Sequence, residues 1–186
     1  MDILSIDKEK VINTYKQGSE KEKKALELLF GGETFRPKNV MERVKTFEDA
    51  CRELGKDHPF VLAYQNTNLR DPEVADDNKD VIAYLKLRII AAVLNEGLKP
   101  KFVAEERRYY PYFRLCSNED IIRMSEKEES SVVNLPNGGV SYAHASGGSA
   151  HVFASIVSCL SFKTSELAEY AGKQFADLYV DYLLGE

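Results

Sequence analysis

The sequence has no tryptophan, and only three cysteines and three histidines in 186 residues. The cysteines, Cys51, Cys116 and Cys159, are far apart and form no Cys-x-x-Cys pair, which excludes a zinc ribbon or a thioredoxin-type motif. An odd number of separated cysteines favours free thiols in a reducing compartment. We therefore expect a cytoplasmic protein without a disulfide framework.

Long apolar runs and a strong charge of either sign are also lacking. The longest apolar run, 89–94, is far shorter than the roughly 20 residues that a membrane-spanning helix needs. The first ten residues mix acidic and basic side chains and lack the apolar stretch of a signal peptide. Lys and Arg number 25 against 30 Asp and Glu, a net charge of −5, which excludes a general polyanion binder but permits a local basic segment. We expect no membrane partner.

Residues 1–64 are rich in helix start and stop signals, and we predict a helical N-terminal part. Each predicted helix begins at a capping residue and ends before a glycine or after an apolar face has been completed. The predicted helices run from the Asp7 cap to Gly18, from the Ser19–Glu22 capping box through Ala25, Leu26, Leu28 and Leu29 to Gly31–Gly32, from Thr46 to Gly55, and from Asp57–His58–Pro59 to Tyr64.

Two contrasting segments follow this helical part. Residues 65–79 are polar and have no apolar period, which predicts a connector between the N-terminal part and a core at 80–186. Residues 79–96 are apolar on nearly every side before Gly97 and Pro100, which predicts a central buried helix.

The last third favours strands and one long helix. The aromatic segment 109–115 contains Pro111, which predicts an edge strand or an extended segment. Asn118 is expected to cap a short helix. Three β-like runs, 131–135, 140–145 and 152–162, are separated by turn signals at 137–139 and at 146–149. A helix from Thr164 or Ser165 to Leu184 closes the chain, with an apolar face of Leu167, Ala171, Phe175, Leu178 and Tyr182.

This order of elements is typical of the α+β class rather than of alternating βαβ units. We predict a single domain, 1–186, in which a small antiparallel meander of about three or four strands packs on the helix at 79–96 and on the long C-terminal helix. Gly172 lies in the middle of that last helix, where a glycine indicates close approach of a neighbouring backbone.

Motifs that would identify a cofactor or a reaction are absent from the sequence. Neither the P-loop pattern nor the Rossmann glycine pattern occurs. Asp76, Asn78 and Asp80 have the 1, 3, 5 spacing of an EF-hand, but Val81 and Leu87 occupy the two diagnostic positions. We therefore assign no cofactor, no metal and no catalytic residue.

The histidines offer one weaker hypothesis. His144 and His151 flank the glycines at 147–148, and a hairpin there would bring the two imidazoles together. Two histidines are too few for a zinc site, which needs three or four ligands. An enzyme with a site around 136–151, using His144, His151, Ser141 and Ser146, is nevertheless one alternative, and exposed histidines beside a turn are the simpler interpretation.

A local basic and aromatic segment offers a second hypothesis. Residues 99–114 hold five basic and two acidic side chains, and its candidate binding residues are Arg107, Arg108, Tyr109, Tyr110, Tyr112 and Arg114. Aromatic rings interleaved with arginine are the components of single-stranded nucleic-acid platforms. Core packing of the rings, with the basic chains reaching to solvent beside them, explains the same pattern.

Three blocks of the sequence resemble a known group of proteins. They are 45–51 (KTFEDAC), 80–100 continuing to YYPYF at 109–113, and 160–175 (LSFKTSELAEYAGKQF). Together they resemble uncharacterised proteins of bacteriophages and prophages of gut bacteria, over most of residues 40–184. The resemblance implies a phage or mobile-element setting and the cytoplasm of a bacterial host, but no activity. That family often has tryptophan near the positions of Leu98, Phe102 and Tyr112, so no role of an indole carries over to this chain.

These observations favour a non-enzymatic binding or accessory module. Its expected partner is another protein, with a nucleic acid as the less favoured partner. The sequence leaves the oligomeric state, the strand order and the identity of the partner open.

Overall fold

The computed structural model describes residues 5–98, 103, 105–124, 132–149 and 158–185. Over these residues the chain is an α+β protein, as the order of its sequence signals predicted. The helices are α1 (Lys8–Gln17), α2 (Glu20–Phe30), α3 (Val40–Arg43), α4 (Phe47–Leu54), α5 (Pro59–Asn66), α6 (Pro72–Ala75), α7 (Lys79–Leu94), α8 (Asn118–Ile122), α9 (Ser165–Gln174) and α10 (Ala176–Leu184). The strands are β1 (Arg107–Cys116), β2 (Val132–Leu135) and β3 (Gly138–Ser149).

The chain divides into two compact units, 1–43 and 44–186. The first unit contains α1, α2 and α3, and the second contains the sheet and the remaining helices. Residues 65–79, which we expected to be a polar connector, form α6 between two short 3₁₀ turns inside the second unit. The single-domain organisation and the boundary at 65–79 stay predictions.

Helix caps in the N-terminal half are placed as the sequence indicated. The Asp7 carboxylate accepts the backbone N–H groups of Glu9 and Lys10, and Ser19 forms its capping box with Glu22. Thr46 and Asp49 form a second capping box at the start of α4. These short polar side chains satisfy N–H groups that the first helical turn leaves without partners.

The core of the second unit is built around α7. Its Leu87, Ile89, Ile90 and Leu94 are at most 1% exposed. Helices α4, α5 and α10 pack against it. This burial confirms the prediction of a central buried helix, because a helix with apolar residues on nearly every side can pack against neighbours in several directions.

The sheet is antiparallel, and β3 lies between β1 and β2. β1 is an edge strand in which Pro111 is tolerated because an edge position needs no second ladder bond. β2 and β3 are joined by a tight hairpin at Pro136–Asn137, and Gly138 has φ 146°. A Cβ atom on Gly138 would lie 2.2 Å from the carbonyl oxygen of Cys116, so this position requires glycine.

The predicted turn at 146–149 is wrong, because these residues belong to strand β3. Tyr109 pairs with Gly147, and Arg108 pairs with Gly148. A Cβ atom on Gly147 would lie 2.6 Å from the Tyr109 ring, so this glycine permits a ring to cross the strand. A glycine pair indicates either a turn or a site that neighbouring atoms approach closely, and here the close approach of the Tyr109 ring explains why a glycine is present.

Two further predictions near the sheet need correction. Ser117, not Asn118, is the N-cap of α8, and it forms a capping box with Asp120. In the run predicted as a strand at 152–162, residues 158–160 form a 3₁₀ turn, and Phe162 makes a single bridge to Tyr109. The part of that run before residue 158 lies outside the described residues.

The C-terminal helix is interrupted at Phe175, which has φ −122° and ψ 33°. The interruption separates α9 from α10 and rotates the buried face, so that Tyr179 and Val180 are buried in place of the predicted Leu178 and Tyr182. α9 packs on β1 and β3, whereas α10 packs mainly on α7. One straight helix could not present one face to both the sheet and α7, and the break resolves this conflict.

Candidate functional site

The aromatic segment of β1 divides its side chains between two faces of the sheet. Successive residues of a strand point to opposite sides. Pro111 and Phe113 face the helices: the Phe113 ring lies 5.0 Å from the ring of Tyr179, and the Pro111 side chain lies against Gly172. These two residues are half-buried on the helix side of the sheet.

The other face of β1 carries Tyr110, Tyr112 and Arg114. Tyr112 is 51% exposed, Arg114 is exposed and Tyr110 is half-buried. His144 is exposed on β3 directly opposite Tyr112, and the two rings stack with centroids 5.0 Å apart and planes 28° apart. We call Tyr110, Tyr112, Arg114 and His144 the open face.

A β-bulge makes the open face possible. The register between β1 and β3 shifts after Tyr112, which pairs with His144, because the next pair is Phe113 with Tyr142. Ala143 is the extra residue, and it turns Tyr142 to the helix side, where its ring meets Phe113 edge-to-face. Burial raises the pKa of Tyr142 to about 12. The bulge therefore turns the half-buried Tyr142 toward the helices and leaves His144 in solvent.

Arg108 does not belong to a binding surface. It is 2% exposed, and its guanidinium pairs with the carboxylate of Glu106 at 2.5 Å. A buried arginine cannot meet the phosphates of a nucleic acid, and truncating one partner of such a pair costs about 3–5 kcal/mol of stability. The sequence could not separate this arginine from Arg107 and Arg114, which are both exposed.

The charge of the open face is partly balanced by α8. Hydrogen bonds from the side chain and the backbone of Ser117 hold the pKa of the Asp120 carboxyl below its usual value, and the nearby charge of Arg114 lowers it further. Asp120 therefore stays ionised beside Arg114 and offsets part of its charge. The result is an aromatic surface with a modest positive charge rather than a cationic groove.

The described residues nominated for an enzymatic site all lie on strand β3. Ser146 pairs with Tyr110 and Ser141 pairs with Arg114, so both serines share the face of His144. Ser141 lies three residues from His144 along the strand, a separation of about 10 Å at the rise of a β-strand, and its Oγ lies 3.4 Å from the carbonyl oxygen of Tyr142. His151 lies outside the described residues.

The described residues hold no metal-binding cluster, and a cleft lies at the hairpin end of the sheet. Within the described residues no group of three or more His, Cys, Asp or Glu side chains is placed to hold a metal ion. The cleft at the hairpin end has a volume of about 250 Å³, and Leu115, Leu135, Pro136 and Leu184 are among its lining residues. No described helix is long and apolar enough to cross a membrane.

A second exposed surface lies in the first unit and was missed by sequence reasoning. Leu28 and Leu29 of α2 are 88% and 75% exposed, although their spacing resembles that of a buried face. The sequence gives the apolar stripe, but nothing in it reveals that no described residue covers the stripe.

Comparison of the chain with protein-family models, with curated proteins and with solved structures finds no match.

Proposed function

We propose that the chain is a non-enzymatic binding module that recognises a partner protein through the open face of its sheet. Following the resemblance of its sequence blocks, the setting is a bacteriophage or prophage, and the compartment is the cytoplasm of the bacterial host. The observation that carries the proposal is the Tyr112–His144 stack, two aromatic rings held together on the solvent side of a sheet.

Physical reasons favour such a surface for recognition. Tyrosine offers a large, rigid contact area at a low cost in conformational entropy, and tyrosine and arginine are enriched among residues that dominate interface energies. The other side of the strand is fixed by packing against α9 and α10, so the open face is presented by a rigid scaffold. A rigid surface loses little entropy when a partner docks.

A protein partner is favoured over a single-stranded nucleic acid. Arg108 pairs with Glu106, and Arg114 lies near the ionised Asp120. The chain as a whole carries a net charge of −5. Nucleic-acid platforms need several free cations for the phosphates, because counterion release supplies most of their affinity.

Site-specific photo-crosslinking tests the proposal. A benzophenone amino acid at position 112 should capture a discrete partner in cells that carry the related phage or prophage. Leu183 is the matched control position, since it is 52% exposed and lies on α10. The adduct should depend on the open face, so adding His144→Ala and Arg114→Glu should abolish it. Equal capture from positions 112 and 183 contradicts the proposal.

A fluorescence titration addresses the nucleic-acid alternative. Because the chain has no tryptophan, Tyr112→Trp places a unique indole on the open face. Short oligonucleotides should leave its emission unchanged at low and at high salt. Salt-sensitive quenching that disappears in the Tyr112→Trp/Arg114→Glu variant would instead assign the face to nucleic acid. Arg108 must be left intact in these variants, because its replacement destabilises the fold.

A further inference from the structure

The outer edge of strand β1 offers backbone hydrogen-bonding groups that the sheet does not use. The strand order β1-β3-β2 gives β1 a neighbouring strand on one side only. On its other side, the Tyr109 N–H donates to the carbonyl oxygen of Phe162 at 3.0 Å, and the Phe162 N–H donates to the carbonyl oxygen of Tyr109 at 2.7 Å. The backbone groups of Tyr109 therefore point away from β3.

Alternation along β1 extends this direction to Pro111, Phe113 and Leu115. In an antiparallel ladder, every second residue directs its N–H and C=O groups to the same side. The extra residue of the bulge, Ala143, belongs to β3, so the alternation within β1 is not interrupted. Pro111 has no N–H, whereas Phe113 and Leu115 each offer a donor and an acceptor. Within the described part of the chain, Phe162 is the only residue that bonds to this edge.

The outer edge is accessible near the hairpin end of the sheet, where it adjoins the cleft. Tyr112 is 51% exposed and Leu115 is 70% exposed. The cleft of about 250 Å³ has Leu115, Leu135 and Leu184 among its lining residues. Leu115 lies on the helix side of β1, as Phe113 does, because the two residues are two positions apart. A side chain placed beside Leu115 on this side would therefore lie next to an apolar cleft.

We propose that the outer edge of β1 binds an extended segment of a partner protein, which pairs antiparallel with residues 111–115 and places an apolar side chain at the cleft. The unpaired groups of a strand edge are matched by another extended backbone, and added strands gain selectivity from pockets for alternate side chains. Antiparallel pairing is expected because β3 and Phe162 both pair with β1 in this way. The site is separate from the open face, and neither proposal depends on the other.

A second copy of the chain is a poorer occupant than a foreign strand. Two β1 strands paired about a two-fold axis at Phe113 would set Leu115 of each copy opposite Pro111 of the other. Pro111 has no N–H to donate, so one hydrogen bond would be lost on each side of the axis. Proline at a strand edge is one of the devices that limit self-association. Phe113 and Leu115 stay open to a strand without proline.

Fluorescence anisotropy with N-methylated peptides tests the pairing. The probe is a fluorescein-labelled peptide with the core Leu-Thr-Leu-Thr-Leu, added to the full chain. Its leucines should lie on the helix side of the sheet and direct their N–H groups to β1, while the threonine N–H groups point away. N-methylation of the central leucine should raise the Kd about tenfold, the order expected for one lost hydrogen bond. N-methylation of the threonine before it is the control and should leave the Kd nearly unchanged.

Variants of the chain then assign the binding to the edge and the cleft. Leu115→Pro removes a donor from the outer edge but no ladder bond to β3, and it should raise the Kd about tenfold. Leu115→Thr keeps that N–H and should raise the Kd less. Leu184→Glu alters the cleft and should weaken binding, whereas Leu183→Glu changes an exposed neighbour outside the cleft and should not. Circular dichroism checks the fold, and the N-methylated peptides decide on the wild type alone if Leu115→Pro does not fold.

Three results would overturn the proposal. The first is absence of peptide binding, or an equal loss of affinity from N-methylated leucine and N-methylated threonine. The second is equal peptide affinity of folded Leu115→Pro and Leu115→Thr. The third is self-association in sedimentation equilibrium that Leu115→Pro abolishes and Leu115→Thr retains, which would make a second copy of the chain the occupant.

Discussion

Replacing Gly172 by alanine should destabilise the protein, although alanine is the better helix former. Gly172 lies in the last turn of α9, and an exposed glycine within a helix costs about 1 kcal/mol relative to alanine. An alanine Cβ at this position would lie 2.6 Å from the Cβ of Pro111 and 2.7 Å from a ring carbon of Tyr142. Ordinary carbon contacts are about 3.5–4.0 Å, so the methyl group overlaps two neighbours by about 1 Å.

The size of the effect follows from two opposing terms. Overpacking a well-filled core costs about 1–3 kcal/mol, and neither neighbour can move easily: Pro111 is fixed in strand β1, and the Tyr142 ring is held against Phe113. The gain in helix propensity is about 1 kcal/mol. We expect a net loss of up to about 2 kcal/mol, measured by urea unfolding followed by far-UV circular dichroism.

A neighbouring position supplies the control. Lys173 is exposed in the same helix, so Lys173→Ala should be more stable than Lys173→Gly by about 1 kcal/mol. Tyr142→Ala should cost less in the Gly172→Ala background than in the wild type, because the overlap is relieved. If Gly172→Ala instead raised the free energy of unfolding, as in a solvent-exposed helix, the close packing of α9 on the sheet would be refuted.

The remaining predictions also concern stability. Phe175→Ala should lower the free energy of unfolding by about 3–5 kcal/mol, because the ring is 7% exposed at the junction of α9 and α10; a loss below about 1 kcal/mol would mean that the ring is not part of the core. Gly138→Val should prevent cooperative unfolding in a thermal scan, since φ 146° and the carbonyl of Cys116 exclude a side chain, and an unchanged Tm would argue against the hairpin. Burial raises the pKa of Asp181 above 3.8, so its charge opposes folding at neutral pH. Asp181→Asn should therefore be more stable than the wild type at pH 7, and the difference should shrink as the pH falls through the raised folded pKa and vanish below 3.8, where the carboxyl is protonated in both the folded and the unfolded state. Hydrogen bonds from the backbone of Lys45 and Thr46 lower the pKa of Asp49, so its contribution to the free energy of unfolding is complete above its unfolded pKa and is lost as the pH falls through the lowered folded pKa. Asp49→Asn should therefore weaken the decrease in stability at acid pH. An identical decrease in the wild type and the variant would contradict the capping role.

The sequence determined the elements that depend on neighbouring residues. A cap such as Asp7 or Thr46 acts on N–H groups two or three residues away, so its chemistry can be read from a short stretch of sequence. The apolar residues on nearly every side of α7 predicted burial for a similar reason, because exposing such a helix to water would cost free energy in any arrangement of the chain. A close approach at Gly172 was predicted from its position in a helix, but the atoms that approach it belong to the side chains of Pro111 and Tyr142 and not to a neighbouring backbone.

The tertiary structure decided the features that depend on residues far apart in sequence. The glycines at 147–148 have the composition of a turn, but the pairing of Gly147 with Tyr109 places them in a strand. Arg108 is buried although strand alternation places it on the same side of β1 as the exposed Arg114, so its burial depends on tertiary contacts such as its pair with Glu106. The bulge at Ala143 sets the register for Tyr142 and His144, and the coverage of Leu28 depends on what packs beside α2. None of these distances is encoded in the local pattern, because each results from contacts that form only when distant segments meet.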